Sequence, residues 1–246
     1  MEARLQMLIK PSVLANKFRV NPATILHLGA HLAEERNDYL TLGWGQSEIV
    51  WIESQPNLIE KLQNLDLMPN ERVMQATVWD ISGVNLTFNV SNNSQSSSLF
   101  NFGTHQSNYP DIGYEFSFEV KTSRLDEIFP FERNFEFVNL DLQGAELRAL
   151  IGMGTLLSKT KWVYSEVNKE QVYKGCSEIE ELDSYLATFG FLRQGTVWMP
   201  SVGWGDAIWV HKSVLPGRFN RLANRILIAR MNLSLQVRYF RNIAKR

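Results

Sequence analysis

The chain has 246 residues, 44% of them apolar and 21% charged, with a formal net charge of −1 and a single cysteine, Cys176. This composition excludes a disordered chain, an internal disulfide framework and a cysteine-built zinc site, and the length suits one large domain. We find neither a run of 18 apolar residues nor a charged, apolar leader at Met1, so we expect a cytoplasmic protein without a membrane span or signal peptide.

Apolar periodicity and turn residues predict alternating strands and helices in the first third of the chain. The predicted order is strand Thr24–Leu28, helix Glu34–Leu42, strand Glu48–Glu53, helix Asn57–Leu65 and strand Arg72–Val78. Such a βαβαβ series requires crossover connections and therefore predicts a parallel sheet with helices on both faces.

An insertion over about residues 84–121 follows. Two alternating segments, "VNLTFNV" and "YEFSFEVK", flank the polar loop "SNNSQSSSLFNFG" and predict a β-hairpin. The series then resumes with helix Arg124–Phe129, strand "FEFVNLDL", a helix from Ala145, strand "KWVYSEVN", helix Ser177–Phe189 and strands "FLRQGTVWM" and "WGDAIWVHK". The link between the last two strands is too short for a parallel crossover, so this pair should be antiparallel.

Two terminal segments flank a predicted domain of residues 23–213. In residues 1–22, "EARLQMLIKPSVLANKF" predicts helical packing outside the sheet, interrupted at Pro11. Residues 214–246 predict a further helical segment with eight Lys or Arg beyond Gly217 and no acid, whereas the remainder has 17 basic and 26 acidic residues, or −9. Its two basic clusters fall on opposite helical faces, which predicts a break near Asn232–Ser234.

Two interpretations of this basic segment are open. It attaches the protein peripherally to the anionic inner face of a membrane, or it forms a helical pair that packs on the domain or on a second subunit of a homo-oligomer. The second interpretation is favoured, and it predicts packing by Leu222, Ile226, Leu233 and Val237.

The stretch "ILHLGAHLAEE", residues 25–35, lies where an open parallel sheet binds its ligand. Gly29 permits a sharp turn, and the following helix offers unpaired N–H groups to a carboxylate. His31 and Glu34 replace the later glycines of a dinucleotide fingerprint, which disfavours NAD and FAD. Glu53, 24 residues after Gly29, can accept hydrogen bonds from ribose hydroxyls, with capping of the next helix as its alternative.

The segments "ILHLGAHLAEE", "VWIESQP", "SSSLF", "VKTSRLDEIF", "FVNLDLQGAELRAL" and "GWGDAIWV" resemble, in matching order over Thr24–His211, the FkbM-type methyltransferase family. The resemblance implies a Rossmann-like α/β fold of the class I methyltransferases, with a mostly parallel seven-stranded sheet and a terminal antiparallel pair. It further implies S-adenosylmethionine-dependent O-methylation of a sugar, glycan or natural-product hydroxyl, with no specific nucleic acid as partner.

The resemblance also implies the cofactor contacts. Gly29, Ala30 and His31 would line the methionine part, Glu53 would hold the ribose, and residues 77–80 would lie beside the adenine. The full set implied is His27, Gly29, Ala30, His31, Glu53, Ser54, Thr77, Val78, Asp80, Asp141 and Gln143. His27, His31 and Ala33 replace residues common in the family, so a catalytically inactive cofactor-binding protein is one alternative, and a nucleic-acid methyltransferase guided by the basic tail is another.

Methyl transfer to an alcohol benefits from a base that takes the hydroxyl proton. Asp141, which follows the strand "FVNL", is the first catalytic candidate, with capping of the next helix as its alternative, and His31 is the second. His105 is a candidate lid residue or simply a solvated loop residue.

The expected acceptor-binding residues lie in the polar loop and after the later strands, namely Ser97, Ser98, Glu166, Asn168, Tyr173, Trp204 and Asp206. Asp141, Glu166 and Asn168 also form an oxygen-rich group of the kind that Mg²⁺ prefers. Mg²⁺ is therefore an optional second cofactor, although Glu166 and Asn168 can equally orient substrate hydroxyls.

Overall fold

A computed structural model describes residues 7–243 and contains a seven-stranded sheet in the order β3-β2-β1-β7-β8-β10-β9. Its strands are β1 Thr24–Leu28, β2 Glu48–Glu53, β3 Glu71–Gln75, β7 Phe137–Leu140, β8 Trp162–Asn168, β9 Phe191–Trp198 and β10 Trp204–His211. The first five are parallel, and β10 pairs antiparallel with both β8 and β9. The Rossmann-like fold predicted from the sequence is confirmed, including the terminal antiparallel pair.

Helices cover both faces of the sheet. They are α1 Pro11–Phe18, α2 Arg36–Thr41, α3 Pro56–Gln63, α4 His105–Asn108, α5 Leu125–Ile128, α6 Glu146–Met153, α7 Ile179–Thr188 and α8 Arg218–Ile243. Side chains alternate across each strand, so Leu26 and Leu28 of β1 join one core with α5, α6 and α7. Ile25 faces the other core, which α1, α2, α3 and α8 cover.

Local sequence explains several helix starts. Pro56 occupies the first turn of α3, where its missing N–H costs nothing. Glu178 and Glu181 form a capping box at the start of α7, each side chain accepting a backbone N–H at the other residue. Pro11 likewise begins α1, and residues 7–10 before it are not helical. Residues 1–6, the first part of the predicted N-terminal helical segment, lie outside the described residues.

The insertion forms a separate three-stranded sheet. Strands β5, Asn85–Ser91, and β6, Tyr114–Ser123, are antiparallel, as predicted. The predicted strand Arg72–Val78 divides, because β3 ends at Gln75 and the short strand β4, Thr77–Val78, leaves the main sheet to pair with β6. Residue 76 therefore marks the junction between the two sheets.

The C-terminal segment is one continuous helix, so the predicted break near Asn232–Ser234 is wrong. Asn232 does not end the helix, because its side chain accepts from the Trp198 N–H at 2.8 Å and donates to the Thr196 carbonyl at 3.0 Å. Packing of Leu222, Ile226, Leu233 and Val237 on the domain is also wrong, since all four are exposed, whereas their packing on a second subunit stays a prediction. Among helices of residues 7–243, none has the length and apolarity to span a membrane.

Candidate functional site

A cavity of about 970 Å³ opens at the carboxyl ends of the parallel strands, the usual ligand position in such sheets. Four of its wall residues come from neighbouring strands: Gly29 follows β1, Glu53 ends β2, Asp141 follows β7 and Glu166 lies near the end of β8. Strand order thus brings together residues that lie up to 137 positions apart in the chain.

The turn after β1 depends on Gly29. Its φ of +79° lies in the left-handed region, and a Cβ there would stand 1.9 Å from the Asp141 carbonyl oxygen. The N–H groups of Gly29 and Ala30 both donate to the Ile52 carbonyl at 2.9 Å. The turn is therefore fixed against β2 and β7 simultaneously, and only glycine fits.

Glu53 organises the backbone around this turn. One carboxylate oxygen accepts from the His31 N–H at 2.9 Å, and the other accepts from Ser54 and Gln55 at 2.8 and 2.9 Å. Burial raises the pKa of Glu53, although these three hydrogen bonds oppose the shift. Glu53 thus bonds the N–H groups of the two residues that precede α3 and still faces the cavity.

His31 connects the turn to the insertion. Its Nδ1 lies 2.7 Å from the Glu34 carboxylate, and its Nε2 lies 2.7 Å from the Ser94 hydroxyl in the polar loop. Burial raises the pKa of Glu34, but the His31 hydrogen bond and charge outweigh this and lower it overall. Because both ring nitrogens of His31 already have partners, this geometry suits holding the loop over the cavity better than accepting a proton.

Asp141 and Glu166 face each other across Gln143. The Gln143 amide nitrogen donates to Asp141 at 2.5 Å and to Glu166 at 3.1 Å. The amide oxygen accepts from the Tyr173 hydroxyl at 2.5 Å, so both polar atoms of the Gln143 side chain have partners. Gln143 has a φ of +52°, which aims its side chain back at the two carboxylates.

The carboxyl groups of the cavity repel one another. Solvent reaches Asp141 from the cavity, yet surrounding protein raises its pKa. Burial together with the charges of Asp141, Glu146 and Asp206 raises the pKa of Glu166 well above its ordinary value. The described lining residues include six Asp or Glu and one Arg, Arg238, so the cavity favours cationic ligand groups.

Glu35 is the member of this group that the sequence analysis missed. It lies on the cavity wall just before α2, with one carboxylate oxygen 4.0 Å from His27 Nε2. Burial, followed by the charges of Asp141, Glu34 and Asp206, raises its pKa to about 8. Burial also lowers the pKa of His27 to about 4, so this imidazole is neutral, and no Lys or Arg among the described residues forms an ion pair with Glu35.

Aromatic and polar groups form the opposite end of the cavity. The Trp204 indole N–H donates to the Tyr109 hydroxyl at 3.2 Å, and His105 stacks on Phe102 with ring centroids 4.4 Å apart. His105 is buried, which lowers its pKa to about 4 and makes it a neutral wall residue rather than a solvated loop residue. Ser97 also lines this end.

Comparison with known proteins identifies the family of the chain. The family model described as "Methyltransferase FkbM domain" matches residues 27–193, more than half of the chain. The chain belongs to the FkbM methyltransferase family. The matched range includes Gly29, Glu53, Asp141 and Glu166 of the cavity wall.

Two relatives show how far this similarity extends. The chain is 26% identical over 133 residues to "2-O-methyltransferase NoeI" of Sinorhizobium fredii, a match that covers 53% of this chain and 49% of the relative. It therefore spans about half the length of that protein. The crystal structure of methyltransferase FkbM from Methylobacillus flagellatus shares the fold, with a TM-score of 0.52 and 14% identity over 77% of this chain and 44% of that one.

Most of the residues expected from the FkbM resemblance lie on the cavity wall. These are His27, Gly29, Ala30, His31, Glu53, Ser54, Ser97, Asp141, Gln143, Glu166, Tyr173, Trp204 and Asp206. Asp206 also has a structural role, because its carboxylate accepts hydrogen bonds from the Tyr164 hydroxyl and from the Leu8 N–H. It thereby fixes the N-terminal segment beside the cavity.

Thr77, Val78 and Asp80 do not line the cavity, which corrects the expected adenine contacts. The first two residues pair with β6, and Asp80 forms an ion pair with Arg148 at 2.6 Å. Ala76 and Gln55 occupy the corresponding wall. The sequence pattern could not reveal this displacement, because β3 and β4 form one uninterrupted run of strand-like residues.

Ser98 and Asn168 also lie away from the cavity wall. Ser98 is buried and donates to the Gln143 carbonyl at 2.7 Å, so it supports the turn after β7 instead of binding an acceptor. Asn168 is buried behind the wall, and neither polar atom of its side chain has a partner within residues 7–243.

The expected Mg²⁺ site does not fit these residues. Asn168 lies outside the cavity, and the Gln143 amide donates into the gap between Asp141 and Glu166, where a cation would need oxygen ligands. Within the described chain, no three His, Cys, Asp or Glu side chains are grouped so that they could hold a metal ion.

Proposed function

We propose that the protein transfers a methyl group from S-adenosylmethionine to a hydroxyl oxygen of a sugar-bearing or natural-product acceptor. The observation that carries this proposal is the Asp141–Gln143–Glu166 arrangement, which presents carboxylates in the same cavity as the Gly29 turn and Glu53. The name of the Sinorhizobium fredii relative, a 2-O-methyltransferase, supports oxygen as the methylated atom.

The wall residues suit the two ends of the cofactor, which supplies an electrophilic methyl group when bound. Glu53 faces the cavity and offers carboxylate oxygens to ribose hydroxyls. The Gln55 side-chain oxygen is buried without a partner inside the described part of the chain, so it can accept an N–H of the adenine. Glu35, which forms no ion pair with a Lys or Arg of the described chain, is the carboxylate that we assign to the ammonium of the methionine part.

Asp141 is the residue that we assign to proton removal. As the acceptor oxygen forms its bond to the methyl carbon, the carbon–sulfur bond breaks and the hydroxyl proton passes to the Asp141 carboxylate. The raised pKa of Asp141 makes it a stronger base than an ordinary aspartate. Tyr173 acts indirectly, because its hydroxyl holds Gln143, which in turn holds Asp141.

The composition of the cavity favours an uncharged, hydroxyl-rich acceptor. Trp204 and Tyr109 offer aromatic faces, and the polar loop supplies hydroxyls such as Ser97. Arg238 is the single Lys or Arg among the described lining residues, and the pKa of Glu34 is lowered, so the wall offers little attraction to a polyphosphate backbone, which disfavours the alternative of a nucleic-acid substrate.

Calorimetric titration with S-adenosylhomocysteine, followed by an acceptor screen, tests the proposal. Asp141→Asn should bind S-adenosylhomocysteine within about threefold of wild type but lose roughly 10²–10⁴-fold in turnover. Asp111→Asn, in an exposed loop, is the matched control and should keep both properties.

Other outcomes would select a different function. Absence of S-adenosylhomocysteine binding would remove the methyltransferase assignment. Binding without turnover on any hydroxylated acceptor would leave an inactive cofactor-binding protein. Methylation of RNA or DNA, with salt-sensitive binding, would support the nucleic-acid alternative.

A further inference from the structure

An apolar stripe runs along the outer face of α8. At about 100° per residue its members fall within an arc of about 60°. They are Phe219, Leu222, Ile226, Leu233, Val237 and Phe240, with exposed fractions from 40% at Val237 to 91% at Phe219. None of these six side chains is buried by the rest of the described chain.

Arginines flank the stripe on both sides. Arg230 and Arg241 lie about 20–40° beyond one edge, and Arg218 and Arg225 lie about 40–60° beyond the other. All four are exposed. The last acidic residue of the chain is Asp206, so α8 contains no carboxylate that could neutralise them.

The opposite face of α8 holds the helix in this orientation. Ile228 is buried against Gly195 of β9, where a Cβ would stand 2.8 Å from its side chain. Asn224 donates to the Lys17 carbonyl at 2.8 Å, and Asn232 bonds to the backbone of β9. Rotating the stripe inward would break all of these contacts, so the stripe is an outward-facing surface of the folded protein.

We propose that this surface docks the protein on an anionic lipid membrane, with α8 lying in the plane of the interface. Apolar side chains flanked by arginines match such a surface, because the side chains enter the acyl boundary while the guanidinium groups reach the phosphates. Residues 1–216 carry a net charge of −9, so attraction to anionic lipid is confined to the C-terminal segment that forms α8 and defines one orientation.

A second copy of the chain is the competing occupant. The spacing of Phe219, Leu222, Ile226, Leu233 and Phe240 follows a 3–4 repeat, which could form a helix pair. Two α8 helices packed along this seam would bring arginines together without any acidic partner, which is destabilising. Charge complementarity therefore favours lipid.

Co-sedimentation of the full chain with vesicles tests the proposal. Vesicles of phosphatidylcholine containing about one-third phosphatidylglycerol should bind wild type, and vesicles of phosphatidylcholine alone should bind it at least about tenfold less. The triple variant Phe219→Ser, Leu233→Ser and Phe240→Ser should lose roughly tenfold or more in partitioning. A matched control, Phe116→Ser, Phe131→Ser and Leu192→Ser, removes exposed apolar side chains outside α8 and should bind like wild type.

Light scattering in the absence of lipid tests whether a second copy of the chain covers the apolar stripe instead. Wild type and the α8 triple variant should show the same mass and the same circular dichroism spectrum. Failure of wild type to bind anionic vesicles, or equal binding by both triple variants, overturns the proposal. A doubled mass in wild type that the α8 variant alone loses would assign the stripe to a dimer.

Discussion

Replacing Glu35 by glutamine should remove most of the pH dependence of cofactor binding. In the free protein, burial and the charges of Asp141, Glu34 and Asp206 raise the pKa of Glu35 to about 8. A ligand ammonium beside Glu35 binds the carboxylate form, so binding must release the proton. The pKa in the complex then falls, and affinity rises with pH until the pH reaches the pKa of the free protein.

The magnitude follows from that pKa. With a pKa of about 8, roughly 1% of Glu35 is ionised at pH 6 and about half at pH 8. Affinity for S-adenosylhomocysteine should therefore rise about 50-fold across this interval, or on the order of 2 kcal/mol. Glu35→Gln, which cannot ionise, should show a much flatter profile and weaker binding at pH 8 by about 1–3 kcal/mol.

Isothermal titration in two buffers of different ionisation enthalpy measures the protons released on binding. Wild type should release about one proton at pH 6.5, and Glu35→Gln close to none. 5′-Methylthioadenosine, which lacks the amino-acid part, is the control ligand and should release no proton from either protein. Equal proton release by wild type and Glu35→Gln, or the same pH profile for both ligands, would refute the assignment.

Three further predictions concern stability and the support of Asp141. Gly29→Ala should lower the free energy of unfolding by roughly 3 kcal/mol or more in urea titrations, because its Cβ meets a backbone oxygen, whereas Gly113→Ala, with open space around it, should change little. The pKa of Asp206 is raised to about 7, so its contribution to the free energy of unfolding falls as pH rises from about 4 to 7. The free energy of unfolding at pH 5 should therefore exceed that at pH 8, and Asp206→Asn should reduce this excess by on the order of 2 kcal/mol. An unchanged excess in Asp206→Asn would contradict the prediction. Tyr173→Phe should lower kcat more than KM by releasing Gln143, while Tyr185→Phe, whose hydroxyl bonds a helix carbonyl outside the cavity, should leave kcat intact.

The sheet was predictable because its signals are local. The apolar run of residues 49–52 in β2 and the Gly29 turn each specify their own conformation, and crossover handedness then restricts the order of strands. The same reasoning predicted that Gly29, Glu53 and Asp141 converge, since all follow parallel strands. Periodicity could not reveal that Thr77 leaves the main sheet, because the pairing with β6 depends on residues 45 positions away.

The features that the sequence-based predictions missed or misplaced all depend on tertiary contacts. Glu35 stands in the quoted stretch "ILHLGAHLAEE", but nothing local distinguishes an acid at a helix start from one facing a cavity. The break near Asn232–Ser234 was predicted because the two basic clusters lie on opposite faces of a straight helix. The helix is continuous nevertheless, and the side chain of Asn232 forms two hydrogen bonds with β9, which only the folded protein supplies.

The final helix has a consequence for shortened forms of the protein. Arg238 and Tyr239 of α8 line the cavity, and Ile228 fills space between α1 and β9. A chain ending before Arg218 would thus lose a piece of its core and the single arginine among the described cavity residues, along with the outer stripe. Deleting α8 would therefore change the core, the cavity and the outer stripe together. Only substitutions of its outward-facing side chains can test the role of the stripe alone.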